Sequence, residues 1–229
     1  MTYKNTFVCI ANSTKHLGRC IAGIKIVENQ YAGWVRPVSE RPGREISEED
    51  RLFENGQKCS VLDIVEVPME RHEPFLHQNE NHVINGELYW KKIGVMPAAH
   101  LLPAVQNFDE PIWPHCESTR YGQNDKIDQN RLVDIDTSLA LIQPESVEIV
   151  VSTDPGFNGA PGRVAVRANF ICGGQANSLK ITDPLVKADY MGRGQGTYEI
   201  QQPLLVVSLA EPWVEQPYAF KVVASVLMP

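Results

Sequence analysis

With 229 residues, the chain could build one large all-β domain or two of about 100 residues each. Its 43% hydrophobic and 21% charged residues are ordinary for a globular protein, and no apolar run reaches the ~20 residues of a membrane helix. A net charge of −7 counts against a protein that coats nucleic acid by charge alone.

The chain opens with Met-Thr-Tyr-Lys-Asn-Thr and enters a strand-like run, Phe7 to Ala11, too short for a signal-peptide core. The expected location is the cytoplasm. Cys20 to Val27, Gly33 to Val38 and Val61 to Val67 follow as Val/Ile-rich runs bounded by Gly, Pro or polar turns, the pattern of strands. Ser47 ahead of Glu48-Glu49-Asp50-Arg51-Leu52-Phe53 predicts a capped helical turn or two between the third and fourth strands. Pro97, Pro103, Pro111 and Pro114 break up the stretch 93–135, with room for a short helix over Ala98 to Val105. Ser146 to Ser152, Arg163 to Cys172, Ser178 to Thr182, Leu204 to Leu209 and Phe220 to Leu227 then repeat the strand layout, with Gly173-Gly174-Gln175 as a turn.

The two halves echo one another. Trp34-Val35-Arg36-Pro37 corresponds to Lys180-Ile181-Thr182-Asp183-Pro184, and Leu62 to Val67 corresponds to Leu204 to Leu209. The pattern predicts an all-β fold with a minor helix: two tandem small barrels, over 1–92 and 136–229, joined by an irregular connector at 93–135. Five scattered cysteines without a C-x-x-C pair argue against a disulfide framework or a zinc site. Cys9, Cys59 and Cys172 sit in apolar runs and are expected to be buried and reduced.

Gly33-Trp34-Val35-Arg36-Pro37-Val38-Ser39 places an aromatic ring two residues from an arginine, on one face of a strand. A stacking ring beside a guanidinium suits single-stranded nucleic acid; it equally suits a core Trp whose neighbouring Arg reaches a carboxylate. Six basic residues lie between Lys15 and Arg44, and five acids follow between Glu45 and Glu54.

The runs Phe7 to Ser13, Gly18 to Gly23, Gly33 to Ser39, Leu62 to Val65, Gln78 to Asn81, Ser138 to Ile142 and Ser208 to Pro212 together resemble a family of bacterial dual-OB-domain proteins. The resemblance spans nearly the whole chain. It implies two oligonucleotide/oligosaccharide-binding (OB) Greek-key barrels and a nucleic-acid role in bacterial defence or mobile-element loci. No catalytic residues come with it.

In an OB barrel the loop over residues 12–19 would flank the binding face, with Lys15 and Arg19 meeting phosphates or serving a polar hairpin. In His77-Gln78-Asn79-Glu80-Asn81-His82, Gln78, Asn79 and Asn81 could read base edges, or Glu80 and Asn81 could fasten the connection after the fourth strand to the barrel through backbone amides. Trp90, before Lys91 and Lys92, could stack on a base or cap the barrel. Gly192-Arg193-Gly194-Gln195-Gly196 lacks the setting of a dinucleotide loop and reads as a hairpin tip. Asp134 and Asp136 would share a strand face, a spacing that acidic linkers also produce.

The sequence therefore predicts a non-enzymatic module without metal or cofactor, binding nucleic acid, single strands favoured. Lys15, Arg19, Trp34, Arg36, Arg41, Arg44 and Trp90 would contact it first, and Gln78 and Asn81 second. The alternative is a protein–protein adaptor of a defence or repair complex, presenting a strand edge from Leu205 to Leu209 and Phe220 to Val223 to a protein partner.

Overall fold

A computed structural model describes residues 2–15, 17–28, 30–155, 161–212 and 216–229. The chain divides into two compact units, one running to Ala104 and one from Val105 to Met228. In the first, β1 (Tyr3–Lys15), β2 (Gly18–Val27) and β3 (Gln30–Val38) form an antiparallel meander. β4 (Asp63–His72) returns beside β1, and β5 (Asn81–Ile84) lies between β4 and β3, antiparallel to one and parallel to the other. The ring β1-β2-β3-β5-β4 closes on itself through the β1–β4 pairing, giving a five-stranded Greek-key barrel of the OB type. β6 (Lys91–Val95) adds a further strand on β4, and a 3-10 turn over Ala98–Ala104, with Pro103 inside it, ends the unit.

Period-two patterning explains the closure. Phe7 and Cys9 on β1 and Val65, Val67 and Met69 on β4 alternate inward and are buried with Ile21, Val35 and Ile84. Gly23 faces Cys9 across the β1–β2 ladder, where a Cβ would strike the Val8 carbonyl and the Phe7 ring. Only glycine lets the two strands approach there.

The second unit repeats this order. A small hairpin, β7 (Cys116–Glu117) and β8 (Lys126–Asp128), leads through a 3-10 turn at Gln129–Asp134 to β9 (Leu139–Ile142). β10 (Ser146–Asp154), β11 (Arg163–Cys172) and β12 (Gln175–Ile181) form the meander. After a helix, α1 (Pro184–Arg193), come β13 (Gly196–Gln201), β14 (Leu204–Leu209) and β15 (Tyr218–Leu227). β13 pairs with β10, β14 with β15, and β15 runs parallel to β12, so β13 and β14 together hold the fourth-strand place. Their break falls at Gln202, with φ at +48°, and Pro203, which has no N–H for the ladder. Of the two sequence echoes, the first falls on β3 and, in the second unit, on the end of β12 (Lys180 and Ile181) and the start of α1; the second falls on β4 and β14.

The helix lies in a different place from the one expected. Over residues 47–54 the first unit makes turns rather than a helix. Ser47 and Asp50 do exchange the reciprocal bonds of a capping box, at 2.7 and 3.1 Å. Leu52 and Phe53 are then drawn off into bridges with Lys58 and Trp90, which ends the turn. The helix between third and fourth strands belongs to the second unit instead. Asp183 caps it by accepting from the Leu185 and Val186 N–H groups, and Pro184 starts it. Gly192 and Arg193 form its last turn and Gly194 its C-cap at φ +97°, so this glycine-rich segment is a helix end and not a hairpin tip.

Each barrel is sealed across a short parallel seam. In the first, only Arg36↔Asn81, Pro37↔His82 and Val38↔Val83 pair. The Arg36 N–H donates to the Glu80 carbonyl at 2.8 Å, and its 3%-exposed guanidinium meets the Glu80 carboxylate at 3.0 Å and Cys20 Sγ at 2.8 Å. Replacing Arg36 with Ala strands a buried carboxylate, which should cost about 3–5 kcal/mol. Urea unfolding should show this as a lower midpoint at unchanged slope, and the Arg36→Met/Glu80→Leu double variant should recover most of the loss.

Candidate nucleic-acid interface

In an OB barrel the outer faces of strands two and three, with the loops joining strands one to two and four to five, form the binding surface. Trp34 projects from β3 opposite Ile24 and is half-buried. Lys15 closes the β1–β2 hairpin opposite Gly18, and Leu17 at its tip is fully exposed; His16 lies outside the described residues. The loop from β4 to β5, residues 73–80, carries Phe75 and Leu76 at the surface. The Arg44 guanidinium sits over the Phe75 ring at 4.4 Å. The ring-and-guanidinium pair sought at Trp34 and Arg36 is thus built from Phe75 and Arg44. Sequence reading passed over Phe75, although the apolar Pro74-Phe75-Leu76 ahead of a polar run was its signal.

Four of the expected contact residues are buried. Arg36 is held by Glu80, as described above. Gln78 and Asn81 are buried, the Asn81 amide donating to Gln78 Oε1 at 3.2 Å, so these amides fasten the loop onto the barrel. Trp90 is 1% exposed in the core, edge-on to Phe7 at 6.4 Å, and offers no ring for stacking. Its N–H donates to the Leu52 carbonyl at 3.1 Å, which ties this segment to the turn.

The surface arginines are met by carboxylates. Arg19 donates to Glu48 at 3.0 Å, Arg41 makes a two-pronged contact with Asp50, and Arg44 reaches Glu73 at 2.9 Å. Glu48 also accepts from Arg51 at 2.6 Å and Lys58 at 2.8 Å, while Glu73 also accepts from Arg71 at 2.6 Å. The acidic run after Arg44 therefore folds back on the basic run before it. Up to Ala104 there are 12 basic and 13 acidic residues; from Val105 on there are 9 and 15, so the second unit is the acidic one.

One end of the first barrel holds a polar group inside the ring. The Tyr3 hydroxyl lies 2.6 Å from His82 Nδ1, and the His72 ring stands 4.7 Å from that of His82. Burial, then Lys25 and His72, lower His82 to about 4, so it stays neutral at physiological pH.

Cys9 and Cys59 are buried; Cys172 is only half-buried because it ends β11 at the hairpin beside Gly173. All five cysteines are free thiols. Among the described residues no group of three or more His, Cys, Asp or Glu is placed to hold a metal ion, and Asp134 closes a 3-10 turn rather than sharing a strand face with Asp136. No helix is long and apolar enough to cross a membrane among the described residues.

Two closed OB rings in tandem define a class of binding module, fit for nucleic acids or other oligomers. The chain belongs to the family of dual OB-containing domains, whose model matches residues 5–226. No curated protein matches it.

The three-cation grip on Glu48 sets a pH dependence. The hydrogen bond from Lys58, then those from Arg51 and Arg19, outweigh burial and hold this carboxyl at about 2 against an ordinary 4.5. A folded-state value below the unfolded one stabilises the fold fully above about 4.5 and is lost as pH falls towards 2. Melting temperatures recorded over that window should fall with pH in the wild type, and more shallowly in Glu48→Gln.

Proposed function

We propose that the protein is a non-catalytic nucleic-acid-binding module whose first barrel takes single strands chiefly by stacking. The observation that carries this reading is the pair of aromatics on OB binding elements: the half-buried Trp34 on β3 and the exposed Phe75, under Arg44, on the β4–β5 loop. Lys15, Arg19, Arg41 and Arg44 flank them and supply the phosphate contacts, while Arg36, Gln78, Asn81 and Trp90 hold the platform in shape. Because Arg19, Arg41 and Arg44 already face carboxylates, each phosphate must displace an ion pair, and binding should depend little on salt. The setting implied by the family resemblance is a bacterial defence or mobile-element system.

A second reading, an adaptor subunit of a defence or repair complex, is favoured by the same ion pairs and by the acidic second unit. The edge first expected for it does not exist: Leu205 to Leu209 and Phe220 to Val223 lie in β14 and β15, which have neighbours on both sides.

Fluorescence anisotropy with short single-stranded DNA and RNA decides between them. Trp34→Ala and Phe75→Ala should each cost about 1–3 kcal/mol of binding. Arg41→Ala/Arg44→Ala should flatten the log–log salt slope by less than the roughly 1.4 expected of two free phosphate-bound arginines. Absence of binding to any DNA or RNA at low salt would leave the adaptor reading standing.

A further inference from the structure

The fourth strand is filled differently in the two barrels. In the first, β4 has β1 along one edge; its other edge takes β5 along Met69–His72 and β6 along Asp63–Glu66. In the second, β14 has β15 and β9 as neighbours, and β13 has β10. Among the described residues no strand pairs with the far edge of β13, which is the position that β6 occupies in the first barrel.

The backbone of β13 is set up to receive a strand. Its ladder with β10 continues from the Gln202 N–H, which donates to the Glu145 carbonyl at 2.9 Å. Antiparallel alternation from that bond turns Gly196, Tyr198 and Ile200 towards β10 and leaves the N–H and C=O groups of Thr197, Glu199 and Gln201 aimed outward. Tyr198 and Ile200 pack on the core yet are only half-buried, so apolar surface is left for a neighbour to cover.

Charge specifies what that neighbour is. Glu199 stands directly opposite Glu148, both exposed, and like charges facing across a ladder repel. Neither has a cation within ion-pair distance among the described residues. In the first barrel the filling strand is basic and apolar, Lys91-Lys92-Ile93-Gly94-Val95, and Lys92 meets Asp63 of β4 at 2.5 Å while Lys91 lies opposite Glu66.

We propose that the free edge of β13 is a docking site for a protein partner, which adds an extended segment alternating basic and apolar side chains as the missing sixth strand. The basic residues lie beside Glu199 and Glu148, and the apolar ones cover Tyr198 and Ile200. The site lies wholly in the second unit and is independent of the nucleic-acid reading.

Hydrogen exchange on the full-length protein tests the edge first. The amides of Thr197, Glu199 and Gln201 should exchange fast while those of Tyr198 and Ile200 are protected. Slow exchange of the first three in the dilute monomer would mean the edge is already covered, and the proposal falls. The probe for the partner is a short peptide alternating lysine with valine, with one alternating glutamate with valine as its opposite. The basic peptide should bind and protect those three amides. Glu199→Lys should weaken it about tenfold and reverse the preference towards the acidic peptide. Thr197→Pro removes one outward N–H without touching the β10 ladder and should also weaken binding; Glu199→Gln serves where that variant does not fold. Protection mapping elsewhere, or peptide affinity indifferent to every one of these variants, overturns the proposal. Protection of the same amides that grows with protein concentration would make a second copy the occupant and overturn the choice of partner.

Discussion

Closure across a short parallel seam is the constraint on which each barrel depends. A meander needs only hairpins, but the fifth strand must reach the third in parallel, and few residue pairs are available there: three in the first barrel and two in the second. Both barrels reinforce the seam with a buried polar clasp. In the first it is Arg36 with Glu80, which joins β3 to the residue before β5 by main chain and side chain alike. In the second, Asp183 follows β12, caps α1 with one carboxylate oxygen and accepts from Ser225 of β15 with the other at 3.3 Å. A clasp of this kind resists sliding of the seam, because a shifted register would leave a charged group buried without its partner.

That constraint redistributes the basic residues among roles. Arg36 is used by the seam, and the long β3–β4 connection brings Glu48, Asp50 and neighbouring acids back onto Arg19, Arg41 and Arg51. Surface ion pairs of this sort add little stability singly, but a shared carboxylate such as Glu48 fixes the connection in one arrangement. The surface of the first barrel is consequently near neutral. The exposed Phe75 and the half-buried Trp34, rather than a positive field, mark its surface.

The two barrels have one topology and different surfaces. The first has a sixth strand on β4 and a balanced charge; the second has a capped helix, a fourth strand broken at Pro203, and an excess of acid.

Strand period and turn chemistry made most of the ladder legible. Phe7 to Ala11, Cys20 to Val27, Arg163 to Cys172 and Leu204 to Leu209 all lie in strands, and the echo of Leu62 to Val67 in Leu204 to Leu209 is the shared fourth-strand position, while Lys180 to Pro184 runs from the end of the third strand into the helix. The short strand β5 was hidden because Asn81 and His82 are polar yet buried, and β13 because its exposed face and half-covered core face blur the alternation. The helix α1 announced itself in Asp183-Pro184 and was passed over, while the capping signal at Ser47 was real but stopped short of a helix. What the sequence determined by itself was the local grammar: which runs are strands, where they turn, and that the pattern occurs twice. Only the tertiary structure decided which side chains are free to act. Trp34 and Trp90, or Arg41 and Arg36, are chemically alike, and burial and a partner distant in sequence, not residue type, separate surface from scaffold.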